Sequence, residues 1–207
     1  MTYDVETIAA LESGALVLRD FLTIDGKELG GDPAQFAYWT GEDNVAVNVV
    51  PAGETTPVSR NYAGGGTLLV APEIVDAIGL EARGFEFGLD HMSTDAGSPR
   101  DMVFGHNVRV ARVEFHRGVF DPETWNLVSE PHLLLSGRVD GAAVDDAAAD
   151  GEGGLSLEVI GSAIDLTRTN PAMESDAQQR LRDGDRFRRY GDTAGQRETW
   201  WGQAKRK

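Results

Sequence analysis

The apolar positions of this chain fall mostly into short period-two runs separated by glycine and turn residues. Leu16 to Ile24 is rich in leucine, valine and phenylalanine and closes on Asp25-Gly26, the composition of a strand that meets a hairpin dipeptide. Val45 to Val50 alternates and stops at Pro51, and Gly84 to Asp90 alternates strictly, with Phe85, Phe87 and Leu89 on one face. Thr67 to Val70, Leu133 to Gly141 and Leu155 to Leu166 read as further strands. Between Asn107 and Arg117 the phase changes: Val108 and Val110 share one parity, while Ala111, Val113 and Phe115 share the other. An extra residue near Val110 and Ala111, as in a β-bulge, turns all five to the core face and leaves His116 on the polar side.

Helical patterning is brief. Val5, Ile8, Ala9 and Leu11 at spacings of three and four, with Asp4 and Glu6 early, predict a short opening helix over residues 3–12. Pro72 to Gly79 reads as two helical turns, with proline at the start and glycine at the end. Asp121 to Asn126 has turn chemistry. Residues 142–154, dominated by Ala, Asp and Gly, are too poor in apolar mass to pack and read as a solvated loop. Seven or more strands and two short helices predict a mainly β, α+β, β-barrel-rich fold, with no internal repeat.

At 207 residues a single core is large enough to bury about 70% of the unfolded surface. The 25 glycines suit a turn-rich β chain. The absence of cysteine excludes disulfides, thiolate metal sites and cysteine nucleophiles. There is no basic and apolar leader at the N-terminus, and no apolar run approaches the ~20 residues of a membrane span. The expectation is a soluble protein without membrane insertion.

Charge is unevenly placed. The net charge is −15, yet Ala172 to Lys207 holds nine Arg/Lys against six Asp/Glu, leaving ten against 28 in residues 1–171. An acidic body therefore precedes a basic arm, and the reading is a body over 1–171 with a docking arm over 172–207. Such a body repels phosphate backbones, so specific nucleic-acid binding is not expected. In the arm, Arg182, Arg188, Arg189, Phe187, Tyr190, Trp200 and Trp201 are the residue types enriched at protein interfaces, and the interleaved Asp183, Asp185 and Asp192 interrupt any phosphate track. Protein docking is the better account.

Candidate chemistry elsewhere is thin. His91, His106, His116 and His132 do not fall at metal-ligand spacings and read as scattered surface residues. Asp90, His91 and Ser93 lie together without a Gly-x-Ser-x-Gly elbow, so a small hydrolase ranks last. Asp95 and Asp101 read as turn residues. Asp140, Asp145, Asp146, Asp150 and Glu152 do not match an EF-hand loop. Arg60 to Gly66 is a glycine loop without a following Lys-Ser/Thr or helix, so a connection is favoured over a phosphate cradle. No cofactor, metal or catalytic residue is expected.

Two stretches resemble the phage tail-tip, or baseplate hub, proteins, the group that includes the gene-transfer-agent hub and short minor tail proteins. The first runs from Arg117-Gly118-Val119-Phe120-Asp121-Pro122 through Trp125-Asn126-Leu127-Val128 to Pro131 and Leu135-Ser136-Gly137-Arg138-Val139-Asp140-Gly141. The second is similar to the pattern Ser-x-x-x-Gln-x-x-Arg-x-x-Gly-Asp-x-Phe-x-x-Tyr-x-Asp followed by Trp-Gly. It is matched by Ser175, Gln179, Arg182, Gly184, Asp185, Phe187, Tyr190, Asp192, Trp201 and Gly202. Together they cover about a third of the chain.

The resemblance implies a structural virion protein of a long-tailed phage, without enzymatic activity. It implies a ring, a trimer favoured, between the distal tail protein and the central tip or fibre protein, around the DNA channel. The arm's own residue types make Arg182, Asp185, Phe187, Arg188, Arg189, Tyr190, Trp200 and Trp201 the expected inter-subunit contacts. Some relatives carry a cysteine-rich domain with an iron–sulfur cluster, which this cysteine-free chain does not share. A distal tail or tail completion protein, forming hexamers, is the alternative.

Overall fold

The computed structural model describes residues 5–74, 83–90, 93–145, 154–163, 165 and 175–191. The chain divides into two compact units, residues 1–167 and 168–207.

The first unit is dominated by antiparallel strands. It opens on helix α1 (Val5–Ser13), followed by β1 (Val17–Glu28), β2 (Pro33–Trp39), β3 (Val45–Val49), β4 (Val58–Tyr62), β5 (Leu68–Val70) and β6 (Gly84–Leu89). Helix α2 (Pro99–Gly105) then leads into the long strands β7 (His106–Phe120) and β8 (His132–Asp145) and into β9 (Gly154–Gly161). Seven strands form one curled sheet in the order β2-β1-β7-β8-β9-β6-β5, while β3 and β4 pair as a separate hairpin. The mainly β expectation holds, with β2, β4 and α2 as additions; Arg60 to Tyr62, read as the start of a glycine loop, are strand.

Strand parity sorts the core into two layers. On one face, Leu22 and Ile24 of β1, Val113 and Phe115 of β7, Phe36 and Tyr38 of β2, and Phe87, Leu89, Leu155, Leu157 and Val159 share one cluster. The opposite parity of β1, β2 and β7 is buried as well. Phe21, Trp39 and Phe120 join Val47, Val49 and Tyr62 of the β3–β4 hairpin in a second cluster. There Phe21 stacks on Trp39 at 5.5 Å between centroids and meets Tyr62 edge-on at 5.0 Å. A main-chain bridge from Tyr38 to Ala63 fastens the hairpin to the edge strand β2.

The bulge in β7 is where the phase change placed it. Asp25 pairs with Arg112 and Lys27 with Asn107, so the stretch between them on β7 is longer than its β1 counterpart. Val108, Ala111, Val113 and Phe115 are buried as expected, but Val110 is exposed, with φ 60. Four β7 residues, Val108 to Ala111, lie opposite Gly26 alone, and Val110 absorbs the phase change by pointing out, in a conformation that costs a β-branched side chain energy. This corrects the expectation that all five would face the core.

Three other boundaries move. Asp25-Gly26 is inside β1, and the turn lies later, where Gly31 donates to the Glu28 carbonyl at 2.9 Å. Gly26 is needed for close approach: a Cβ there would lie 3.1 Å from Val108 Cγ1. β8 extends through residues 142–145, which read as loop, because Ala142 to Asp145 pair with Leu157 to Gly154 of β9. β9 ends at Gly161 and not at Leu166, with Ser162 donating to the Ser136 carbonyl. The helix expected over 72–79 and the loop at 146–153 lie largely outside the described residues.

α2 is explained by its cap. Ser98 Oγ accepts from Asp101 N–H at 3.2 Å and Pro99 occupies the first helical turn, the positions where a hydroxyl and a proline stabilise a helix start. Asp101 is therefore a first-turn helix residue and not part of a turn.

The second unit carries helix α3 (Asp176–Arg180).

Candidate functional site

In the second unit the residues of the tail motif hold one another. Ser175 Oγ caps α3 by accepting from Gln178 N–H at 3.2 Å. Gln179 donates through Nε2 to Asp185 Oδ2 at 2.7 Å and accepts from Arg188 N–H through Oε1 at 3.0 Å. Asp185 Oδ1 in turn accepts from Phe187 N–H at 3.0 Å. Asp183 and Gly184 are both left-handed, with φ 50 and 74. That turn brings Asp185 back over Gln179 and explains a glycine there. Arg186 binds Asp176 through two nitrogens, the closer at 2.8 Å. That bond holds the Asp176 carboxyl below its usual range, and the Gln179 amide and Phe187 N–H do the same for Asp185.

What this framework presents outward is apolar and cationic. Leu181, Phe187 and Tyr190 are 78%, 87% and 65% exposed, and the Arg189 guanidinium lies 5.3 Å from the Tyr190 ring centre. Of the expected docking residues, Asp185 serves the local framework, while Phe187 and Tyr190 project. Arg182 donates its N–H to the Gln179 carbonyl. Leu181 was missed in the sequence because a lone leucine carries no motif. Trp200 and Trp201 lie outside the described residues.

The first unit holds a polar network between the sheet and the hairpin. Thr23 of β1 faces Glu114 of β7 across the ladder, and Phe21 faces His116. The β3–β4 connection covers them. Glu114 accepts from Arg60 Nη1 at 2.7 Å and from Ala52 N–H at 2.9 Å and forms an ion pair with Arg112, whose Nη2 lies 2.6 Å from Glu114 Oε1. Arg60 also donates to Thr23 Oγ1, which is 3.1 Å from the Tyr62 hydroxyl. His116 Nε2 lies 3.1 Å from the Val50 carbonyl oxygen, the geometry of an N–H donor.

His116 is fully buried, correcting its placement as a surface residue. Alternation marked its side of β7 as polar, but that side is roofed by the hairpin. Burial depresses the His116 imidazole below its usual value, against the pull of the Val50 carbonyl. Burial alone would raise Glu114, yet the Ala52 N–H and the two arginines hold it below the usual carboxylate range.

A group depressed on folding binds more protons when unfolded, so its contribution is complete above the unfolded value and lost as pH falls. Stability is therefore expected to decline as pH drops from about 6.5, the unperturbed histidine value. Urea midpoints measured between pH 7 and pH 5 test this, and His116→Gln, which keeps a donor for Val50, flattens the slope.

The remaining candidates are structural where described. Asp90 Oδ2 accepts from Ser93 N–H at 3.2 Å in a local turn, and His91 is outside the described residues. His106 packs edge-on against Phe36 at 4.8 Å. In the glycine loop, Gly64 donates to Asn44 Oδ1, and a Cβ on it would come within 2.5 Å of the Asp43 carbonyl oxygen, so this loop is packed against the connection between β2 and β3. Among the described residues no group of three or more His, Asp and Glu is placed to hold a metal. No described helix is long and apolar enough to cross a membrane.

No family model and no curated protein matches the chain. Among solved structures it is similar to a chain of the virion of a native gene transfer agent particle, at 15% identity and TM-score 0.49. The match covers 84% of this chain and 50% of the other, so this chain aligns with about half of that protein's length.

Proposed function

We propose that this chain is a structural protein of a long-tailed, phage-like virion, a hub or tail-tip ring component that docks on its neighbours through the C-terminal unit. The observation that carries the reading is the division of labour in residues 175–191. Ser175, Gln179, Gly184 and Asp185, the polar and glycine positions of the hub-like motif, bind one another or shape the turn, while Phe187 and Tyr190 project with Leu181. A short segment that uses its polar groups internally and leaves large apolar groups exposed is suited to bury them against another protein.

Charge supports the same reading. A ring around a channel that passes DNA benefits from a lining that does not retain phosphates, and residues 1–171 carry ten basic against 28 acidic side chains. A trimer bridging the distal tail ring and the central tip protein is the assembly the resemblance to hub proteins implies, and a hexameric distal tail or tail completion protein is the rival. Native mass spectrometry of the assembled ring separates three copies from six.

Deleting residues 175–207 is expected to leave a folded β body, with unchanged far-ultraviolet circular dichroism, that no longer enters particles when it replaces the intact protein in its host. Particles of normal composition and infectivity built with the truncated chain refute the docking role.

A further inference from the structure

The first unit has a second candidate surface, distant in sequence from the C-terminal arm, at Trp125. This residue follows the Asp121–Thr124 turn, with φ 57. Left-handed backbone is disfavoured for a bulky aromatic residue and persists only where the surroundings impose it. Here Asp121 imposes it: its carbonyl accepts Trp125 N–H at 2.9 Å, its N–H donates to the Asn126 carbonyl, and its carboxylate accepts from Glu123 N–H and Thr124 Oγ1. The indole so positioned is 61% exposed.

Trp125 and Phe120 form the shared wall of two grooves. One, of about 400 Å³, is lined by Trp39, Arg19 and the exposed acids Glu42 and Asp43. Its floor is fixed: Trp39 Nε1 donates to the Asp43 carbonyl at 2.7 Å, and Gly41 lies so close to the Trp39 ring that a Cβ would overlap it. Arg19 donates to the Thr40 carbonyl at 3.1 Å and keeps its charge, so one cation faces the two carboxylates of Glu42 and Asp43 and the groove is net negative. The other groove, of about 340 Å³, is lined by four consecutive residues of β3, Val45 to Asn48, with Leu127 and Glu130.

Consecutive residues line a groove when the strand presents its edge. β3 pairs only with β4, and among the described residues its outer edge makes no main-chain hydrogen bonds. A row of available N–H and C=O groups beside a hydrophobic wall is what an added strand requires. Exposed carboxylates beside an exposed indole favour a cation, and guanidinium binds both partners, the acid through paired hydrogen bonds and the ring through its face.

We propose that the outer edge of β3 and the two grooves flanking Trp125 take an extended, arginine-bearing segment of a partner protein, added as a strand beside Val45–Val49. The site does not depend on the tail-protein reading, since it rests on the first unit alone.

The test is a nuclear magnetic resonance titration of the isotope-labelled full chain with a capped five-residue peptide alternating valine and arginine. Two controls replace arginine by glutamate or N-methylate the peptide's main chain. The arginine peptide is expected to shift the Trp125 indole and the β3 amides. Both controls bind roughly tenfold more weakly or less, one lacking the charge and the other the strand hydrogen bonds. Trp125→Asn tolerates the left-handed backbone and lowers affinity by a similar factor at unchanged thermal midpoint. Glu42→Gln with Asp43→Asn gives a second, charge-only reading.

The proposal is overturned if no shift appears at the peptide's solubility limit, or if the shifts avoid Trp125 and β3. It is also overturned if the glutamate or N-methylated peptide binds equally well, or if both variants bind like the parent.

Discussion

Replacing Glu114 with alanine is expected to cost about 3–5 kcal/mol of unfolding free energy, the range for leaving one partner of a buried ion pair uncompensated. Side-chain exposure is 6% for Arg60 and 1% for Glu114, so neither is well solvated when the other is removed. Arg60 then keeps only Thr23 Oγ1 as a named acceptor, while the Ala52 N–H and Arg112 lose their shared carboxylate. Arg112 is 42% exposed and is readily rehydrated, so most of the cost falls on Arg60.

The double variant Arg60→Met/Glu114→Leu is expected to recover more than half of the loss, because two apolar side chains in place of an ion pair avoid the desolvation of both charges. Urea unfolding at pH 7 of the parent, Arg60→Met, Glu114→Leu and the double variant closes the cycle, with Glu114→Ala measured beside them. A single-variant cost below about 1 kcal/mol, the range of exposed pairs, means that water reaches the network and the assignment fails.

Phe21→Ala is expected to cost a similar ~3–5 kcal/mol, the range for a large aromatic removed from a close-packed core. Phe21 is fully buried and touches Trp39, Tyr62 and Phe120, so its loss opens space between sheet and hairpin. Leu22→Ala, on the other face of the same strand, is expected to cost a comparable ~2–5 kcal/mol, and the two are told apart by where the damage appears. Trypsin cleavage at Arg60, a β4 residue whose side chain is buried between the hairpin and the sheet, accelerates in the Phe21 variant below its unfolding midpoint. In the Leu22 variant cleavage tracks global unfolding. Equal protection of Arg60 in the two variants excludes Phe21 as the hairpin's anchor.

These two variants also show where reading the residues succeeds and where it stops. Alternation finds a strand when one face is wet, as in Gly84 to Leu89, and the broken parity at Val110 located the bulge. Pro33 to Trp39 escaped because both of its faces are covered, Phe36 and Tyr38 by one cluster and Ala37 and Trp39 by the other. It therefore lacks the apolar-polar contrast on which the method depends. His116 was misplaced for the same reason: Glu114 and His116 carry the polar parity of a one-sided strand. Only the hairpin, distant in sequence, makes that side an interior. α2 was readable, since Ser98-Pro99-Arg100-Asp101 is a helix start, but seven residues leave too little periodicity to declare it.

The C-terminal segment divides differently. Its residue types pointed to docking without a structure, whereas the bonds from Gln179 to Asp185 and Arg188 depend on a left-handed turn at Asp183-Gly184 that composition does not reveal. Asp185, counted among the contact residues, turned out to shape the segment locally. The Trp125 surface had no sequence signal beyond a tryptophan after a turn, because its chemistry arises from where β3 ends up relative to the turn before Trp125.

The roofing of β7 has one more consequence. From Arg112 to Arg117 this strand is paired on both edges, by β1 and by β8, and the four residues between the two arginines are buried. A segment shut in on four sides has no private route to solvent: none of its amides can meet water without lifting the hairpin, parting a ladder or opening the curled sheet. The central amides of β7 are therefore expected to exchange only through opening of the whole first unit, so their protection reads out that unit's unfolding free energy.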